Sequence, residues 1–326
     1  MRDGFQIKHI IPLQWMKPYI DDEKRLYYFD ARNTSIVSSS PLESAVKLIQ
    51  DIANNYPPPY RLYLSGGVDS QAMLYAWQQS GIPYETYSAR YNNNLNDHDI
   101  STIKQFAEIH RIKLNIVDFD LFNFLEKEHD FYATTYFSGS PQFSSFMKMV
   151  DNQIEGTALM SGNFALPTHV KKNEAPDHIG WPDTNAMSLY QFARISGKNF
   201  IPFFFMESPE LFYSFKMNPY IQSYYDNTDK LSLFNEHGEE ISKGRSFNYI
   251  LKCAFYQSFG FPVLPQIDKY NGFEKVKDYY DQYEYLIKPK DYIHRLAGQK
   301  SKRAFDVLYR YKYEVKIRDF KYIWRK

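Results

Sequence analysis

Apolar positions in the first third of the chain follow a helical period. Leu42, Ala45, Val46, Ile49, Ile52 and Ala53 fall on one face and predict a half-buried helix. Ser40-Pro41-Leu42-Glu43 starts it as a capping box with Pro at the first helical position. Pro57-Pro58-Pro59 stops it. The apolar run at 60–64 then reads as a short strand, followed by a helix that packs Met73, Leu74 and Trp77 and stops at Gly81. The same alternation continues with a strand at 84–89, a polar loop at 92–96, a helix at 99–110 and a strand at 113–119. A helix at 141–150 carries Phe143, Phe146, Met147 and Val150 on one face, and 157–161 reads as a fourth strand. Strands alternating with helices at this spacing predict an α/β fold with a doubly wound parallel sheet. Ligands in such sheets bind beyond the carboxyl ends of the strands, where Ser65, Ala89 and Ser161 are expected.

The pattern changes on both sides of this region. Residues 1–40 read as a short β-rich extension, with strands at 5–11 and 25–29. Past residue 165 the segments 189–194, 209–215 and 247–259 read as helices, so this half is expected to be mostly helical. The tail at 288–326 alternates strictly: Tyr309, Tyr311, Tyr313, Val315 and Ile317 interleave with Arg310, Lys312, Glu314, Lys316 and Arg318, the mark of a strand with one charged face. The expected units are therefore 1–40, 41–287 and 288–326.

Charge sharpens that division. The net charge of +1 over 326 residues conceals a tail at +9 and a remainder at −8. A basic tail can track a nucleic-acid backbone with tyrosines stacking on bases. Its alternation instead sets the tyrosines opposite the lysines, which favours a strand with a solvated face. The single cysteine, Cys253, excludes an intrachain disulfide and any cysteine-based metal centre, and reads as a small packing residue. No His-x-x-x-His pair occurs among the eight histidines, so no zinc site is expected. The run at 201–206 is too short to span a bilayer and the first residues lack a secretory pattern, so no membrane partner and a cytoplasmic location are expected. Aromatics at 18% are expected to fill the core. Arg90 and Asn92, just past the second strand of the alternating series, are split between a ribose or substrate contact and an ordinary surface role, and the polar stretch 171–177 between a solvated loop and a lid.

Candidate chemistry concentrates in Ser65-Gly66-Gly67-Val68-Asp69-Ser70, between a predicted strand and a predicted helix. Glycines let backbone N–H groups approach an anion, and the helix start adds partial positive charge. Ser65 and Ser70 supply hydroxyl donors, and Asp69 can hold a magnesium ion that bridges phosphate oxygens. The set suits pyrophosphate with Mg²⁺. Neither Gly-x-x-x-x-Gly-Lys-[Ser/Thr] nor Gly-x-Gly-x-x-Gly occurs in the corresponding place.

These residues resemble the signature of the N-type ATP pyrophosphatases, or PP-loop enzymes. The resemblance implies an adenine nucleotide alpha hydrolase-like fold, ATP and Mg²⁺ as cofactors, and cleavage of ATP between its α and β phosphates. It implies that Ser65, Gly66, Gly67, Asp69 and Ser70 hold the pyrophosphate portion, with Asp69 at the metal. Over roughly residues 40–275 the order of features is similar to the synthetase domain of asparagine synthetase. Tyr87-Ser88-Ala89 resembles the strand that receives adenine, and Asp99 the acidic start of the next helix. Ala158-Leu159-Met160-Ser161-Gly162 resembles the fourth strand with its Ser-Gly. Ile201-Pro202-Phe203-Phe204, Glu207 to Leu211, Tyr249-Ile250-Leu251-Lys252 and Gly272-Phe273 follow in the same order as later elements.

The chain also departs from that pattern. Where asparagine synthetases carry Glu-Gly-Ala-Asp-Glu after Ser-Gly, it reads Asn163-Phe164-Ala165-Leu166-Pro167. Tyr270 stands at the lysine of the Lys-x-Gly-Phe element, and Lys269, one residue off, is the candidate to meet the leaving pyrophosphate. No Cys stands at position 2, so no glutaminase domain is expected and ammonia would come from a separate source. Three readings follow. One is an AMP-forming C–N ligase that adenylates a small-molecule carboxyl or carbonyl group for attack by an amine. Another is an enzyme of the same loop chemistry acting on a nucleotide or nucleic-acid base, steered by residues 288–326. The third is a degenerate nucleotide-binding module within an assembly.

Overall fold

The computed structural model describes residues 16–20, 25–29, 39–136, 141–162, 178–181, 189, 192–193, 195–216, 233–234, 240–241, 245–265 and 313–316. Strands β1 (Met16–Ile20) and β2 (Arg25–Phe29) form an antiparallel pair. Then come α1 (Pro41–Asn55), β3 (Tyr60–Tyr63), α2 (Val68–Ser80), β4 (Glu85–Tyr91), α3 (Asp97–Ile109) and β5 (Asn115–Phe119). Helices α4 (Leu121–Lys127), α5 (His129–Thr135) and α6 (Pro141–Asp151) lead to β6 (Thr157–Met160). Beyond it lie β7 (His178–Trp181), β8 (Asn199–Ile201), α7 (Pro209–Lys216), β9 (Leu233–Phe234), β10 (Glu240–Ile241), α8 (Arg245–Ser258) and β11 (Tyr313–Lys316).

Helix α1 begins as its sequence dictates. The Ser40 hydroxyl accepts from the Glu43 N–H at 3.3 Å, and the Glu43 carboxylate accepts from the Ser40 N–H at 2.8 Å. The Ser40 N–H and the Ser40 hydroxyl, which also donates to the carboxylate at 3.0 Å, hold the Glu43 carboxyl below its ordinary range. Helix α2 differs: Val68 to Leu74, Ala76 and Trp77 are all buried, because the helix packs against α1 and lies within the core. Gly81 closes it in the left-handed region at φ 69°.

The central sheet has five strands in the order β5-β4-β3-β6-β8, and every neighbouring pair is parallel. Leu62 of β3 lies opposite Thr86 on one side and Leu159 on the other. The chain moves outward from β3 through β4 to β5, then crosses back to β6 and continues to β8. Right-handed crossovers place the helices of those two directions on opposite faces, so the sheet is doubly wound. The order reverses between β3 and β6, which makes that seam the switch point where such sheets bind ligands.

Two departures from the sequence pattern have simple causes. The second half, expected to be mostly helical, supplies the fifth parallel strand, β8. It spans only three residues between a positive-φ Gly197 and Pro202, too short to show a period. Helices α4 and α5 fill a stretch that carries no long apolar stripe; α4 starts at Asp120, whose side chain accepts from the Asn123 N–H at 3.1 Å. Helical conformation recurs at 189, 192 and 193, within the expected segment, and at 195, one residue past it. Strand β11 falls inside the alternating part of the tail and pairs antiparallel with β7. The expected strand at 5–11, the polar stretch 171–177 and the rest of the tail lie outside the described residues.

Aromatic rings do build the core. Of the largest fully buried side chains, all are aromatic, among them Trp77, Phe204, Phe205, Phe215, Tyr256 and Phe261. Phe205, Phe215, Tyr256 and Phe261 pack mutually at centroid separations of 5.5–6.3 Å, joining α7 and α8 to the turn after β8. Among the described residues, no helix is long and apolar enough to cross a membrane.

Candidate functional site

The Ser65–Ser70 loop leaves the end of β3 and enters α2 at the seam between β3 and β6. Gly66 turns the chain at φ 81°, and a Cβ there would collide with the Asp99 carbonyl oxygen. Glycine is thus required twice over, by conformation and by the close approach of α3's first turn. Gly67 is the N-cap of α2 and contributes no side-chain cap, in contrast to Ser40 at α1. The opening N–H groups of α2, at Val68, Asp69 and Ser70, have no partner within the helix. They face outward at its positive end.

Hydroxyl groups surround this opening. Ser65 Oγ and Ser70 Oγ lie 2.9 Å apart, and Ser70 Oγ also accepts from the Ser65 N–H at 3.1 Å. Ser161, one residue past β6, brings its Oγ to 3.5 Å from that of Ser70. Two serines just past adjacent strand ends and one in the first turn of α2 therefore form one cluster across the switch point. Gly162 follows at φ 67°, where a Cβ would strike the Phe203 ring, so this backbone approaches the turn after β8 closely. Ala89 sits inside β4 rather than beyond its end. Its carbonyl accepts from Asn96 Nδ2 at 2.8 Å, while Asn96 Oδ1 accepts from the Tyr91 N–H at 2.9 Å. Asn96 thereby fixes the end of β4 against the start of α3.

Asp69 is only 7% exposed, and helix α8 supplies both of its partners. Lys252 Nζ pairs with Oδ2, and the Tyr256 hydroxyl donates to Oδ1 at 2.7 Å. Lys252 and Tyr256 are four residues apart and so share one face of α8. Burial, reinforced by Asp69, holds the Tyr256 hydroxyl well above its ordinary pKa, so it stays a donor. Gln71, fully buried one turn into α2, closes the arrangement: its amide donates to the Gly66 carbonyl at 2.9 Å and accepts from the Leu264 N–H at 2.7 Å. The loop is thus locked to α8 and to the segment after it.

Sequence reasoning missed Tyr256 and Gln71. The only local sign was a glutamine directly after the loop, ahead of the apolar run from Ala72 to Trp77. Lys252 was noted only for its place in a similar order of elements. Arg90 and Asn92 are engaged in the scaffold: Arg90 pairs with Asp118 at 2.6 Å, and Asn92 bonds the Asp120 carboxylate and the Leu121 N–H. Cys253 is buried in α8, as a packing residue would be. Lys269, Tyr270, Gly272, Phe273 and 163–167 lie outside the described residues.

Glu207 enters the sequence reading only as the start of a late element, with no role of its own. Glu207 follows β8 and its turn and is buried; its Oε1 makes no hydrogen bond among the described residues. Desolvation pushes its carboxyl up to about 8, so it is protonated at neutral pH.

The uncapped start of α2 and the three hydroxyls fit the phosphates of ATP. Magnesium fits less simply. Both Asp69 oxygens are already bonded, so a cation at Oδ2 would take the place of the Lys252 ammonium. Among the described residues, no group of three or more His, Cys, Asp and Glu is gathered as a metal cluster.

No family model matches the sequence, and no curated protein matches it. Among solved structures, the chain is similar to the NMN synthetase from Francisella tularensis, at 14% identity and TM-score 0.34, covering 76% of this chain and 96% of that one. It is also similar to the U34-tRNA thiolase NcsA from Methanococcus maripaludis with its 4Fe-4S cluster, at 13% identity and TM-score 0.32, covering 70% and 82% respectively. At such overlaps the chemistry must be read from this chain's own residues.

Proposed function

We propose that the chain is an ATP-using enzyme of the PP-loop type that releases pyrophosphate and activates a carboxyl or carbonyl oxygen as an adenylate. The observation that supports this reading is the serine cluster at the switch point, set against a helix start that lacks a side-chain cap. An acceptor oxygen attacks the α-phosphorus, the bond from that phosphorus to the oxygen bridging to the β-phosphorus breaks, and pyrophosphate leaves with the electron pair. An amine then displaces AMP from the acceptor.

The residues' roles follow from their chemistry. Ser65, Ser70 and Ser161 donate to non-bridging oxygens of the departing pyrophosphate, while the N–H groups of Val68, Asp69 and Ser70 add the helix-end charge. Bound Mg²⁺ supplies neutralisation of the phosphate charge. The protein's contribution is positioning and fixed donors aimed where charge accumulates.

The test is pyrophosphate release from ATP and Mg²⁺ with a panel of carboxylic acids and hydroxylamine as the nucleophile. Release is expected with a subset of the acids. Ser70→Ala should lower it by about a hundredfold, the loss typical of one fixed donor to a developing anion. No release with any acid, or release unchanged in that variant, would overturn the reading.

A further inference from the structure

Both carbonyls of the Gly66-Gly67 pair are turned onto Gln71. The fully buried Gln71 side chain donates to the Gly66 carbonyl at 2.9 Å, and its backbone N–H donates to the Gly67 carbonyl at 3.1 Å. The second is the ordinary first bond of α2; the first needs a side chain of glutamine's length with a donor at its end. One neighbour holds the rest of that amide: its oxygen accepts from the Leu264 N–H at 2.7 Å, and its nitrogen donates to the Leu264 carbonyl at 3.4 Å. The Leu264 N–H and the Gly66 carbonyl together fix which end of the amide is nitrogen. A peptide unit is planar and trans, so its N–H points opposite to its C=O. With the Gly66 carbonyl turned inward, the Gly67 N–H faces the Ser65 hydroxyl at 3.4 Å, a long contact on the side of the serine cluster.

We infer that Gln71 is a positioning residue that locks the Gly66–Gly67 peptide with its N–H toward the anion and its carbonyl away from it. This rests on the proposed pyrophosphate chemistry and adds the Gly67 N–H to its donors. The glycines themselves create the need for a lock. Gly66 must be glycine, since the Asp99 carbonyl leaves no room for a Cβ. A glycine on each side lets this peptide turn over: Gly67 sits at φ −67° and would pass to positive φ in the flipped state, which glycine adopts without strain. The flipped peptide would set a carbonyl oxygen among the three serine hydroxyls, where it would repel phosphate oxygens and compete for the same donors. It would also leave the buried Gln71 nitrogen with an unmet hydrogen, and that cost holds the peptide in its present orientation. The amide is itself anchored, because Leu264 follows Val263, whose carbonyl accepts from the Gln257 side chain of α8 at 2.9 Å. Helix α8 and the segment after it thereby set the direction of a backbone donor in the loop.

The sequence contains a single Gly-Gly step, at Gly66-Gly67. Protein labelled with ¹³C at glycine carbonyls and ¹⁵N at glycine nitrogens therefore yields one carbonyl-to-nitrogen NMR correlation, that of this peptide. Titration with inorganic pyrophosphate should move the Gly67 amide proton downfield in the wild type. Gln71→Met keeps the length and removes the donor. It should bind pyrophosphate roughly tenfold more weakly, the scale of one hydrogen bond to a charged group. Its Gly66–Gly67 signal should differ from the wild type before ligand is added and should move little at saturation. A glutamine that merely stabilises the fold would lower the urea midpoint of the variant yet leave that signal and its response as in the wild type. That outcome overturns the inference, as does a Gly67 amide that stays still at saturating pyrophosphate in the wild type. Gln71→Asn, one methylene too short to span Gly66 and Leu264, gives the same readings if the Met variant does not fold. If calorimetry shows that the wild type binds neither pyrophosphate nor ATP, the proposed function itself fails; if it binds them and only the Gly67 response or its loss in the variants is missing, the lock alone fails.

Discussion

Glu207 offers a direct measurement of how this core treats a charge. Its carboxyl is buried, lacks a hydrogen bond at Oε1 among the described residues, and is pushed up to about 8 from an ordinary 4.5 by desolvation. The folded state therefore keeps a proton that the unfolded chain releases near pH 4.5. Stability from this group is complete below the ordinary value and is lost as pH rises through about 8. Within that window the loss is about 1.4 kcal/mol per pH unit, because the two states differ by about one bound proton. Glu207→Gln removes the titration and leaves the shape nearly unchanged. The stability of the variant minus that of the wild type should then rise with pH by about 4 kcal/mol between pH 5 and pH 8. Urea unfolding at several pH values supplies the difference, and other titrating groups cancel in it. The amide's second N–H adds a constant offset and does not alter the slope. A difference that stays flat from pH 5 to pH 8 would mean that Glu207 is ionised in the folded protein, and the burial argument would fail.

Two glycines with nearly equal φ separate conformation from crowding. Gly81→Ala, at φ 69° with open space around its Cβ position, should cost about 1 kcal/mol of stability in urea unfolding, the left-handed backbone penalty alone. Gly66→Ala, at φ 81° against the Asp99 carbonyl, should cost distinctly more, at least about 2 kcal/mol, because backbone must move to admit the Cβ; equal losses at the two sites would refute the crowding. Tyr256→Phe removes one hydrogen bond to the buried Asp69 carboxylate and should lower stability by about 2 kcal/mol, read by the same unfolding assay; no loss would show that the bond contributes nothing.

How much of the molecule is legible in the sequence depends on whether each feature is local. The start of α1 is local: Ser40 and Glu43 meet across three residues, so a four-residue pattern is sufficient. The turn at Gly81 and the strand–loop–helix at Ser65–Ser70 are local in the same sense. Strand β8 is not, since three residues gain their strand character only from pairing with β6. The same holds for the partners of Asp69, which are 183 and 187 residues distant in the chain. No spacing rule joins a carboxylate in α2 to a lysine and a tyrosine in α8. Only their four-residue separation from each other was visible, and one turn of helix is too common a spacing to stand out. The aromatic excess follows the same logic. Composition announces many rings, but only packing shows that Phe205, Phe215, Tyr256 and Phe261 form the block that seats α8 against the sheet's far edge. That block sets the position of Tyr256, and Tyr256 orients Asp69. The aromatic content, which carries no chemistry itself, thus has a definite consequence at the loop: it fixes the height of α8 over the start of α2, and with it the reach of Lys252.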